Sequence, residues 1–380
     1  MNAAAKRIVC LVLALSLTLC MCACGKKSEQ APSDEPSKET HVVVDHRDIE
    51  VAVPKEVNRI VVCDILPLPS VLTVFFDSAS KIVGMSQPSL TAAQNGLLGE
   101  LYPEILNVQT GFIDGTNVNI EELMKLQPDV VFYSASSAEL GDKLLSAGFA
   151  AVAISVNKWN YNCVETLDHW IELLGEIFPG NDKAKLVKQY SADAIDLVES
   201  RLETVPESER PRAFFLFKYD ESTLMTSGGQ FFGQWWADAI GAVNVGEELQ
   251  TDNSVTVNME QVYAWNPDLI FVTNFTTATP EDVMNNTVGG YDWSPVEAVK
   301  NGRVYKMPLG MYRSYTPGVD TPVTLLWMAK TAYPELFEDV EIVQAAKNYY
   351  KDVFGVELSD EQASSIFAPS VAGGSGFSYQ

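Results

Sequence analysis

An internal repeat constrains the fold of this chain more than any other feature of its sequence. Segments beginning at Asn119 and Asn258, about 140 residues apart, read NIEELMKLQPDVVFYSA and NMEQVYAWNPDLIFVTN. Each has Asn, an apolar residue and Glu, then a short helical stretch, a Pro-Asp pair and four apolar residues typical of a buried strand. Two copies of one helix–strand unit predict two lobes of similar construction rather than one large domain with a chance echo.

A long one-sided helix is predicted between the two copies. From Asn181 to about Val205, apolar residues recur at intervals of three and four, and the interior has neither Gly nor Pro. At ~1.5 Å per residue such a helix is roughly 33–36 Å long, and Asn181 is its predicted N-cap. We therefore expect a connecting helix within residues 179–206, between an N-terminal lobe at 41–178 and a C-terminal lobe at 207–368. An ordinary helix inside one domain is the alternative.

Short apolar strands alternate with short helices in both lobes. Alternation of this kind is typical of a mainly parallel sheet flanked by helices, so the predicted fold class is α/β, with two such lobes joined by one backbone helix. Ligands of such sheets bind beyond the carboxyl ends of the strands. In the first lobe these ends are Asp64–Leu68, Ser86–Ser89, Tyr133–Ser137 and Ser155–Trp159.

The first 24 residues have the composition of a targeting segment rather than of a folded domain. A basic pair precedes an apolar stretch, Ile8 to Leu19, that is too short for a comfortable membrane span. A small residue before Cys24 and a Gly after it resemble a bacterial lipoprotein processing site, with Cys24 as the lipidated residue. Cys20 and Cys22 leave the choice among the three cysteines open, and an uncleaved anchor helix is the alternative.

The segments at both ends of the predicted globular body are polar or glycine-rich. Residues 25–40 are rich in Ser, Pro and charge, which predicts a flexible tether, and residues 369–380 are predicted to be a loose tail. A lipid, a tether and a globular body together predict an extracytoplasmic protein on the outer face of the cell membrane.

Composition argues against two classes of function. The chain has 26 Lys and Arg against 50 Asp and Glu, a net charge of -24, and it lacks the basic stripe that would bind phosphates of nucleic acid. It also lacks GxSxG, HExxH and P-loop patterns, so we do not expect an enzyme.

Few side chains that bind bare metal ions lie in the predicted globular body. Of six Cys residues, four lie in the first 24, leaving Cys63 and Cys163, which either form a disulfide or are two buried free thiols. The three histidines, His41, His46 and His169, are not clustered in the sequence. A site built from several imidazoles and carboxylates is therefore disfavoured, and no resident cofactor is predicted.

The order of short motifs over residues 41–368 resembles the helical-backbone class (class III) of ABC-transporter substrate-binding proteins. That class includes binders of siderophores, haem and vitamin B12. The motifs are the two Glu…Pro-Asp elements of the repeat together with Asn58–Val62, Lys81–Gly84, Gly241–Asn244, Ala298–Tyr305, Leu325–Lys330 and Tyr333–Phe337.

The resemblance implies a function in import. We expect a monomeric, lipid-anchored protein that captures an iron complex, specifically a ferric siderophore, and delivers it to an ABC permease and its ATPase. Haem and corrinoids such as vitamin B12 are the alternatives within the class, and a cell-surface hydrolase or scaffold is the alternative outside it. One rigid connecting helix also predicts that the lobes rotate only slightly on binding.

The resemblance also implies how the permease is recognised. In this class each lobe offers a surface Glu to Arg residues of the permease, and Glu121 and Glu260 match those positions in the two copies of the repeat. Because a carboxylate is favoured at a helix start, helix capping alone is the alternative. Glu122 and Glu104 are the substitutes for Glu121.

The ligand is expected in the cleft between the lobes. The segment Pro308–Tyr315 contributes Arg313, which is expected to hold an anionic oxygen, and Tyr312 and Tyr315, which are expected to stack on the ligand or bond a metal-bound oxygen. A structural arginine paired with a carboxylate is the alternative. The other candidate ligand-binding residues are Tyr219 and Met225 of the second lobe and Tyr133 and Trp159 of the first.

Overall fold

Two sheets, one in each lobe, organise the part of the chain that the computed structural model describes, residues 39–369. The targeting segment, Cys24, almost all of the tether and all but the first residue of the tail lie outside these residues. The predictions for those segments therefore stay predictions.

The first lobe begins with a β-hairpin and then alternates strands and helices. Its strands are β1 (Thr40–Val44), β2 (Glu50–Pro54), β3 (Ile60–Val62), β4 (Ile82–Met85), β5 (Ile113–Asp114), β6 (Asn117–Val118), β7 (Val130–Ser134) and β8 (Ala151–Ile154). Its helices are α1 (Leu68–Phe76), α2 (Gln87–Asn95), α3 (Leu97–Leu101), α4 (Ile120–Lys125), α5 (Ala138–Ser146) and α6 (Cys163–Ile177), with a 3-10 turn at Pro103–Asn107.

The connecting helix and the second lobe follow. The helices are α7 (Lys183–Leu202), α8 (Phe232–Ala239), α9 (Met259–Trp265), α10 (Pro280–Asn285), α11 (Glu297–Lys300), α12 (Thr321–Ala332), α13 (Ile342–Phe354) and α14 (Asp360–Phe367), with a 3-10 turn at Glu207–Glu209. The strands are β9 (Arg212–Tyr219), β10 (Leu224–Ser227), β11 (Val243–Asn244), β12 (Ser254–Thr256), β13 (Leu269–Val272) and β14 (Val304–Lys306).

Both sheets are built around parallel central strands, which confirms the predicted α/β fold class. The first sheet has the order β4-β3-β7-β8 and is parallel throughout. In the second, of order β12-β10-β9-β13-β14, β9 is parallel to β13 and β11, and β13 is parallel to β14. β10 runs antiparallel to β9 and β12, because the few residues between β9 and β10 can make a hairpin but not a crossover.

The aspartates of the repeated Pro-Asp pairs fasten the central strands together. Asp129 Oδ2 accepts hydrogen bonds from the backbone N–H groups of Asn58 (2.8 Å) and Arg59 (2.9 Å), at the start of β3. Asp268 Oδ2 accepts one from the N–H of Arg212 (2.9 Å), at the start of β9. In return, the N–H groups of both aspartates donate to the carbonyls of Arg59 and Arg212. The repeat in the sequence is therefore a repeated strand-pairing unit.

The connecting helix α7 lies in both hydrophobic cores. Ala184 and Val187, near its start, are buried with the strands of the first lobe, and Ala194 and Val198, further along, are buried with those of the second. Its N-cap is Asp182 rather than the predicted Asn181. Asn181 still serves this end of the helix, because its side chain accepts from the N–H of Lys183 (2.8 Å) and donates to the carbonyl of Val74 (2.8 Å).

Two features of the fold differ from the patterns in the sequence. The segment Ser86–Ser89, named above as a carboxyl end of a strand, lies mostly in a helix: α2 begins at Gln87, because a proline in the first turn, here Pro88, needs no N–H partner. The last two helices, α13 and α14, pack into the core of the first lobe, although they follow the second lobe in the sequence.

Candidate functional site

The segment between β14 and α12, residues 307–320, connects the cores of the two lobes; we call it the inter-lobe loop. Met311 and Val319 are fully buried in the first-lobe core, and Tyr315, between them, is fully buried in the second-lobe core. This loop contains three of the residues predicted to bind the ligand. It is the part of the described chain on which we base the candidate site.

Backbone hydrogen bonds hold the inter-lobe loop against the first lobe and the C-terminal helices. The N–H of Leu97, in α3, donates to the carbonyl of Gly310 (2.8 Å), and the N–H of Leu309 donates to that of Ile366 in α14 (2.8 Å). A Cβ atom on Gly310 would lie 2.6 Å from the carboxyl group of Asp320. Only glycine therefore lets the two ends of the loop approach this closely.

Asp320 fixes the path of the loop with its buried carboxylate. Oδ2 accepts from the N–H groups of Met311 (2.7 Å) and Tyr312 (3.3 Å), and Oδ1 accepts from the hydroxyl of Tyr350 (2.5 Å). The hydroxyl of Tyr349 donates to the carbonyl of Val319 beside it. Burial raises the pKa of Asp320 to about 6, and the three hydrogen bonds oppose that rise.

Arg313 is a buried cation between two aromatic rings. Its side chain is 1% exposed. The guanidinium carbon lies 5.0 Å from the ring centroid of Phe275 and 5.6 Å from that of Tyr312, distances at which cation–π attraction operates. Burial raises the pKa of the Tyr312 phenol, and the nearby Arg313 charge opposes this shift.

Several polar atoms on and beside the inter-lobe loop have no hydrogen-bond partner within residues 39–369. They are the hydroxyls of Tyr312, Ser314 and Thr316 on the loop, the hydroxyl of Thr324 in α12, and Oδ1 of Asn274. A buried polar atom without a partner costs about 1–3 kcal/mol, so such a group in a native protein calls for a ligand or water as its partner. The inter-lobe loop thus combines a buried guanidinium with hydroxyl groups able to donate.

A buried lysine organises the neighbouring segment of the second lobe. Lys306 Nζ, at the end of β14, donates to the carbonyls of Thr273 (2.9 Å), Thr276 (2.8 Å) and Ala278 (2.8 Å). Burial lowers the pKa of Lys306 to about 7, whereas three carbonyl acceptors match the three N–H bonds of the protonated amine. Lys306 therefore positions Phe275, whose ring lies under Arg313. Lys306 was not among the residues predicted from the sequence, although a charged residue in an apolar strand was the available signal.

The structure brings together only part of the predicted ligand site. Tyr315 lies in an aromatic cluster of the second lobe. The cluster also contains Phe217, Phe231, Phe232 and Phe275, and the ring centroids of six pairs among these five residues lie 5.2–6.3 Å apart. Tyr161, from the loop before α6 in the first lobe, packs edge-on against two of these rings, Phe231 at 5.1 Å and Phe232 at 4.9 Å. This cluster therefore joins the two lobes beside the inter-lobe loop.

The remaining predicted residues lie elsewhere and have partners within the fold. Tyr133 is buried against Gly141, and its hydroxyl accepts from Arg47 (3.0 Å). The hydroxyl of Tyr219 donates to the carbonyl of Val288 (2.8 Å) and accepts from the indole N–H of Trp293 (3.0 Å).

Trp159 and Met225 are half-buried. The Trp159 ring stacks on His169, with 4.2 Å between centroids, and meets the edge of His46 at 4.9 Å. Met225 lies on β10 opposite Lys218 and Thr256.

The two predicted docking glutamates occupy matching places. Glu121 and Glu260 are exposed in the first turns of α4 and α9, whose N-caps are the side chains of Asn119 and Asn258. Helix capping is therefore performed by the asparagines rather than by the glutamates. The substitutes have other partners, since Glu122 pairs with Lys125 (2.6 Å) and Glu104 accepts from Ser78 and Ala79.

The described residues contain neither a cluster of metal-binding side chains nor a membrane-spanning helix. Residues 39–369 contain no group of three or more His, Cys, Asp or Glu side chains placed to hold a metal ion. Within the same range, no helix has both the length and the apolar character needed to cross a membrane. Cys63 and Cys163 are free, buried thiols in different hydrophobic clusters, so the disulfide alternative is excluded.

Comparisons with known proteins agree with this architecture. The molybdate-binding protein MolA of Haemophilus influenzae is 27% identical over 85% of this chain and 93% of its own length. The structure of MolA bound to molybdate matches with a TM-score of 0.71, and the match covers 84% of this chain and 99% of the MolA chain. A periplasmic solute-binding protein from Veillonella parvula is 28% identical, with a TM-score of 0.78 over 88% of this chain and 98% of its own. An uncharacterised ABC-transporter substrate-binding lipoprotein of Bacillus subtilis, YvrC, is 26% identical over 76% of this chain and 84% of its own length.

A family model supplies the assignment. The model described as periplasmic binding protein matches residues 100–309, more than half of the chain. Proteins of this family bind solutes outside the cytoplasm and are not enzymes. The chain therefore belongs to the periplasmic binding protein family, as a helical-backbone substrate-binding protein of an ABC importer.

Proposed function

We propose that this substrate-binding protein captures a small oxyanion, of the chemical class of molybdate, at its inter-lobe loop. The observation that carries the proposal is the content of residues 312–316. Within five consecutive positions this stretch holds the buried Arg313 guanidinium and three hydroxyl groups, those of Tyr312, Ser314 and Thr316. These three hydroxyl groups have no hydrogen-bond partner in the described chain.

An oxyanion supplies acceptors for these three hydroxyl groups and a negative charge beside the guanidinium. A guanidinium binds two oxygens of one anion through parallel hydrogen bonds, and each hydroxyl can donate to a further oxygen. Low local dielectric makes such bonds stronger than they are in water. Anion binding would thus recover the cost, about 1–3 kcal/mol for each group, of leaving these hydroxyls buried without an acceptor.

Similarity to MolA gives the proposal independent support. MolA binds molybdate, and its similarity to this chain covers 85% of the chain's length. This similarity makes molybdate the first oxyanion to test.

The rest of the proposed function concerns the membrane. We propose that lipid on Cys24 anchors the protein, that it acts as a monomer without a resident cofactor, and that Glu121 and Glu260 bind cationic residues of the permease. Exposure of both glutamates in matching helices supports the last point. The lipoprotein YvrC supports the first.

A ferric siderophore, the ligand expected from the resemblance, is the second candidate. The observation in its favour is the aromatic cluster at the lobe junction, where Tyr161 of the first lobe meets Phe231 and Phe232 of the second. Large conjugated ligands stack on rings of this kind.

Isothermal titration calorimetry on residues 25–380 tests both candidates. The panel would hold molybdate, tungstate, sulfate, phosphate, ferric catecholate and hydroxamate siderophores, haemin and cyanocobalamin. We expect submicromolar binding of molybdate or tungstate. Arg313→Lys should weaken it at least tenfold, about 1.4 kcal/mol, because an ammonium cannot bind two oxygens in the planar geometry of guanidinium.

Arg201→Lys is the matched control, because Arg201 lies on α7 and pairs with Asp339 (2.6 Å). It should bind the oxyanion as the wild type does, and thermal unfolding should show that both variants fold. Binding of a siderophore, haemin or cobalamin in place of oxyanions would overturn the proposed ligand and keep the family. Unchanged oxyanion affinity in Arg313→Lys would place the site away from the inter-lobe loop.

A further inference from the structure

The groups proposed to bind the ligand are enclosed by the protein. Tyr312, Arg313 and Ser314 are 3%, 1% and 4% exposed, and Tyr315 beside them is fully buried. An anion therefore reaches these groups only if some part of the structure moves. The connecting helix α7 is packed in the cores of both lobes, so opening the whole cleft would expose apolar residues on both sides. Movement of a local segment would expose far fewer.

The loop between β8 and α6, residues 155–162, has an unusual backbone at its tip; we call it the β8–α6 loop. Asn160 and Tyr161 have φ angles of +51° and +58°, and they are the only two consecutive non-glycine residues with positive φ in the described chain. The left-handed conformation is disfavoured for residues with a Cβ atom, and asparagine tolerates it better than tyrosine does. The conformation of Tyr161 is therefore held by its contacts rather than by its own preference.

The Tyr161 side chain crosses from the first lobe to the second. Its ring packs edge-on against Phe231 and Phe232, with 5.1 and 4.9 Å between ring centroids, and its hydroxyl donates to the carboxylate of Asp252 (3.4 Å). All three of these partners belong to the second lobe. Phe231 and Phe232 in turn lie 6.1 and 5.8 Å from the ring of Tyr315 in the inter-lobe loop. A series of rings thus leads from the half-buried Tyr161 to the enclosed ligand-binding groups.

The two ends of the β8–α6 loop are fixed within the first lobe. At one end, Ser155 Oγ accepts hydrogen bonds from the N–H groups of Asn157 (3.3 Å) and Lys158 (3.0 Å). At the other end, the side chain of Asn162 caps α6. The loop therefore has two anchored ends and a tip, at Tyr161, whose position depends on contacts with the other lobe.

We propose that Tyr161 is the gate of the ligand site: its ring leaves Phe231 and Phe232 when an oxyanion enters or leaves, while the two lobes keep their relative position. The proposal rests on the proposed ligand site at residues 312–316. In the closed state the Tyr161 ring covers the route between the lobes to the inter-lobe loop. In the open state the backbone at the loop tip relaxes out of the left-handed region. Release of that strain offsets part of the lost ring contacts, so the open state stays accessible.

A gate changes how fast the ligand exchanges and leaves its affinity nearly unchanged. Tyr161 is not one of the groups proposed to bind the oxyanion, and its own hydroxyl is bonded to Asp252. Removing its ring therefore lowers the barriers to entry and to exit by the same amount. A residue that contacted the ligand, or that only supported the fold of the site, would instead change the dissociation constant.

Stopped-flow fluorescence with molybdate on residues 25–380 measures both rates. Tyr161→Ala should raise the association and dissociation rate constants by about tenfold or more, because two aromatic contacts are lost, and should keep the dissociation constant within about threefold. Tyr161→Phe keeps the ring, so both of its rates should stay within about threefold of the wild type. Unchanged rates in Tyr161→Ala, or a faster dissociation alone, would overturn the gate.

Tyr263→Ala is the matched control for these rates. Tyr263 is an exposed tyrosine of α9 whose hydroxyl is also bonded, to the carbonyl of Asp292 (2.6 Å). Its removal should leave both rate constants at the wild-type values. Thermal unfolding of all three variants should show that each is folded.

A measurement without ligand tests the gate separately from the proposed ligand. The protein would carry fluorotyrosine at position 161 alone, and fluorine NMR relaxation dispersion would detect exchange between the closed ring and a solvent-exposed one. We expect exchange on the microsecond-to-millisecond scale at position 161 and none at position 263. A position-161 signal that shows no exchange, and that a soluble gadolinium chelate does not broaden, would overturn the gate.

The radius of gyration separates a local gate from opening of the whole cleft. Tyr161→Ala should have the wild-type radius in small-angle X-ray scattering. A larger radius would show that Tyr161 holds the lobes together, and it would overturn the gate. Calorimetry decides the proposed ligand and fluorine NMR decides the gate, so the two proposals fail separately.

Discussion

At the scale of single residues, the inter-lobe loop depends on charged groups that are buried with specific partners. Lys306 binds three carbonyls and Asp320 accepts three hydrogen bonds, two of them from the backbone of the loop itself. Burying a charge is costly unless hydrogen bonds compensate for the lost water. These two residues therefore shape the loop that carries Arg313, although neither was predicted from the sequence.

Asp320 makes the stability of the protein depend on pH in a defined direction. Its pKa in the folded state, about 6, lies above the ordinary value of about 3.9, so the folded state holds a proton that the unfolded state has lost. The resulting stabilisation is complete below about pH 4 and is lost as the pH rises through 6. We expect the difference in unfolding free energy between wild type and Asp320→Asn to fall by roughly 2–3 kcal/mol from pH 4 to pH 6.

Urea unfolding at several pH values measures this difference. Asp339→Asn is the matched control, because Arg201 holds the pKa of that exposed carboxyl below its ordinary range. The difference in unfolding free energy between wild type and Asp339→Asn should stay nearly constant between pH 4 and pH 6. A constant difference for Asp320→Asn as well would show that the carboxyl is already ionised throughout this range.

At the scale of secondary-structure elements, the repeat is explained by the way its helices and strands are joined. An asparagine caps the helix, the helix exposes its glutamate, and the aspartate after the proline binds the start of the neighbouring strand. The same residues therefore recur because each performs a local structural task in its own lobe. The first lobe makes two bonds to its aspartate, and the second lobe makes one through the same oxygen.

This difference predicts unequal effects of removing the two aspartates. Asp129→Ala should lower the free energy of unfolding by about 2–4 kcal/mol and Asp268→Ala by about half as much, since the first leaves two strand N–H groups without an acceptor and the second leaves one. Chemical denaturation monitored by circular dichroism measures both. Asp129→Asn keeps a carbonyl oxygen and should be milder; equal losses for the two alanine variants would contradict the explanation.

At the scale of the whole molecule, α7 and the inter-lobe loop both connect the lobes. The helix α7 has its early residues in one core and its later residues in the other. The inter-lobe loop places Tyr315 in the second-lobe core, between Met311 and Val319 in the first-lobe core. A helix packed on both sides resists bending, because bending would expose apolar residues of both cores. The lobes are therefore connected by rigid elements rather than by a flexible hinge.

We expect only a slight rotation of the lobes when the ligand binds. The radius of gyration of residues 25–380, measured by small-angle X-ray scattering, should be the same within error with and without the ligand found by calorimetry. The double variant Ala192→Gly with Asp193→Gly, on the exposed side of α7, weakens the helix. It should therefore enlarge any change in the radius of gyration on ligand binding. A large decrease on ligand binding to the wild type would contradict this prediction.

Much of the fold follows from local patterns that do not depend on distant contacts. The periodicity of α7, the apolar run Val130–Ser134 and the repeated Asn…Glu…Pro-Asp units each specify an element and its burial within a short stretch of chain. Glu121 and Glu260 lie at matching positions of the repeat, their predicted docking role comes from the family resemblance, and the structure places both on the surface.

The candidate site follows less completely from the sequence. Tyr133 and Tyr219 have the same chemistry as Tyr312, but each lies where another residue, Arg47 or Trp293, satisfies its hydroxyl. Sequence patterns give the face of a strand that is buried, but they do not give the partner across from it.

By itself, the sequence determined two α/β lobes, the long helix between them, the repeated unit with its surface glutamates, and membership of a solute-binding class. Tertiary structure decided that α13 and α14 return to the first lobe and that the inter-lobe loop enters both cores. It also decided which of the predicted hydroxyl groups have hydrogen-bond partners in the fold and which, such as that of Tyr312, have none within residues 39–369. The physical reason is that element type depends on neighbours along the chain, whereas the hydrogen-bond partner of a buried polar group depends on residues brought near it by folding.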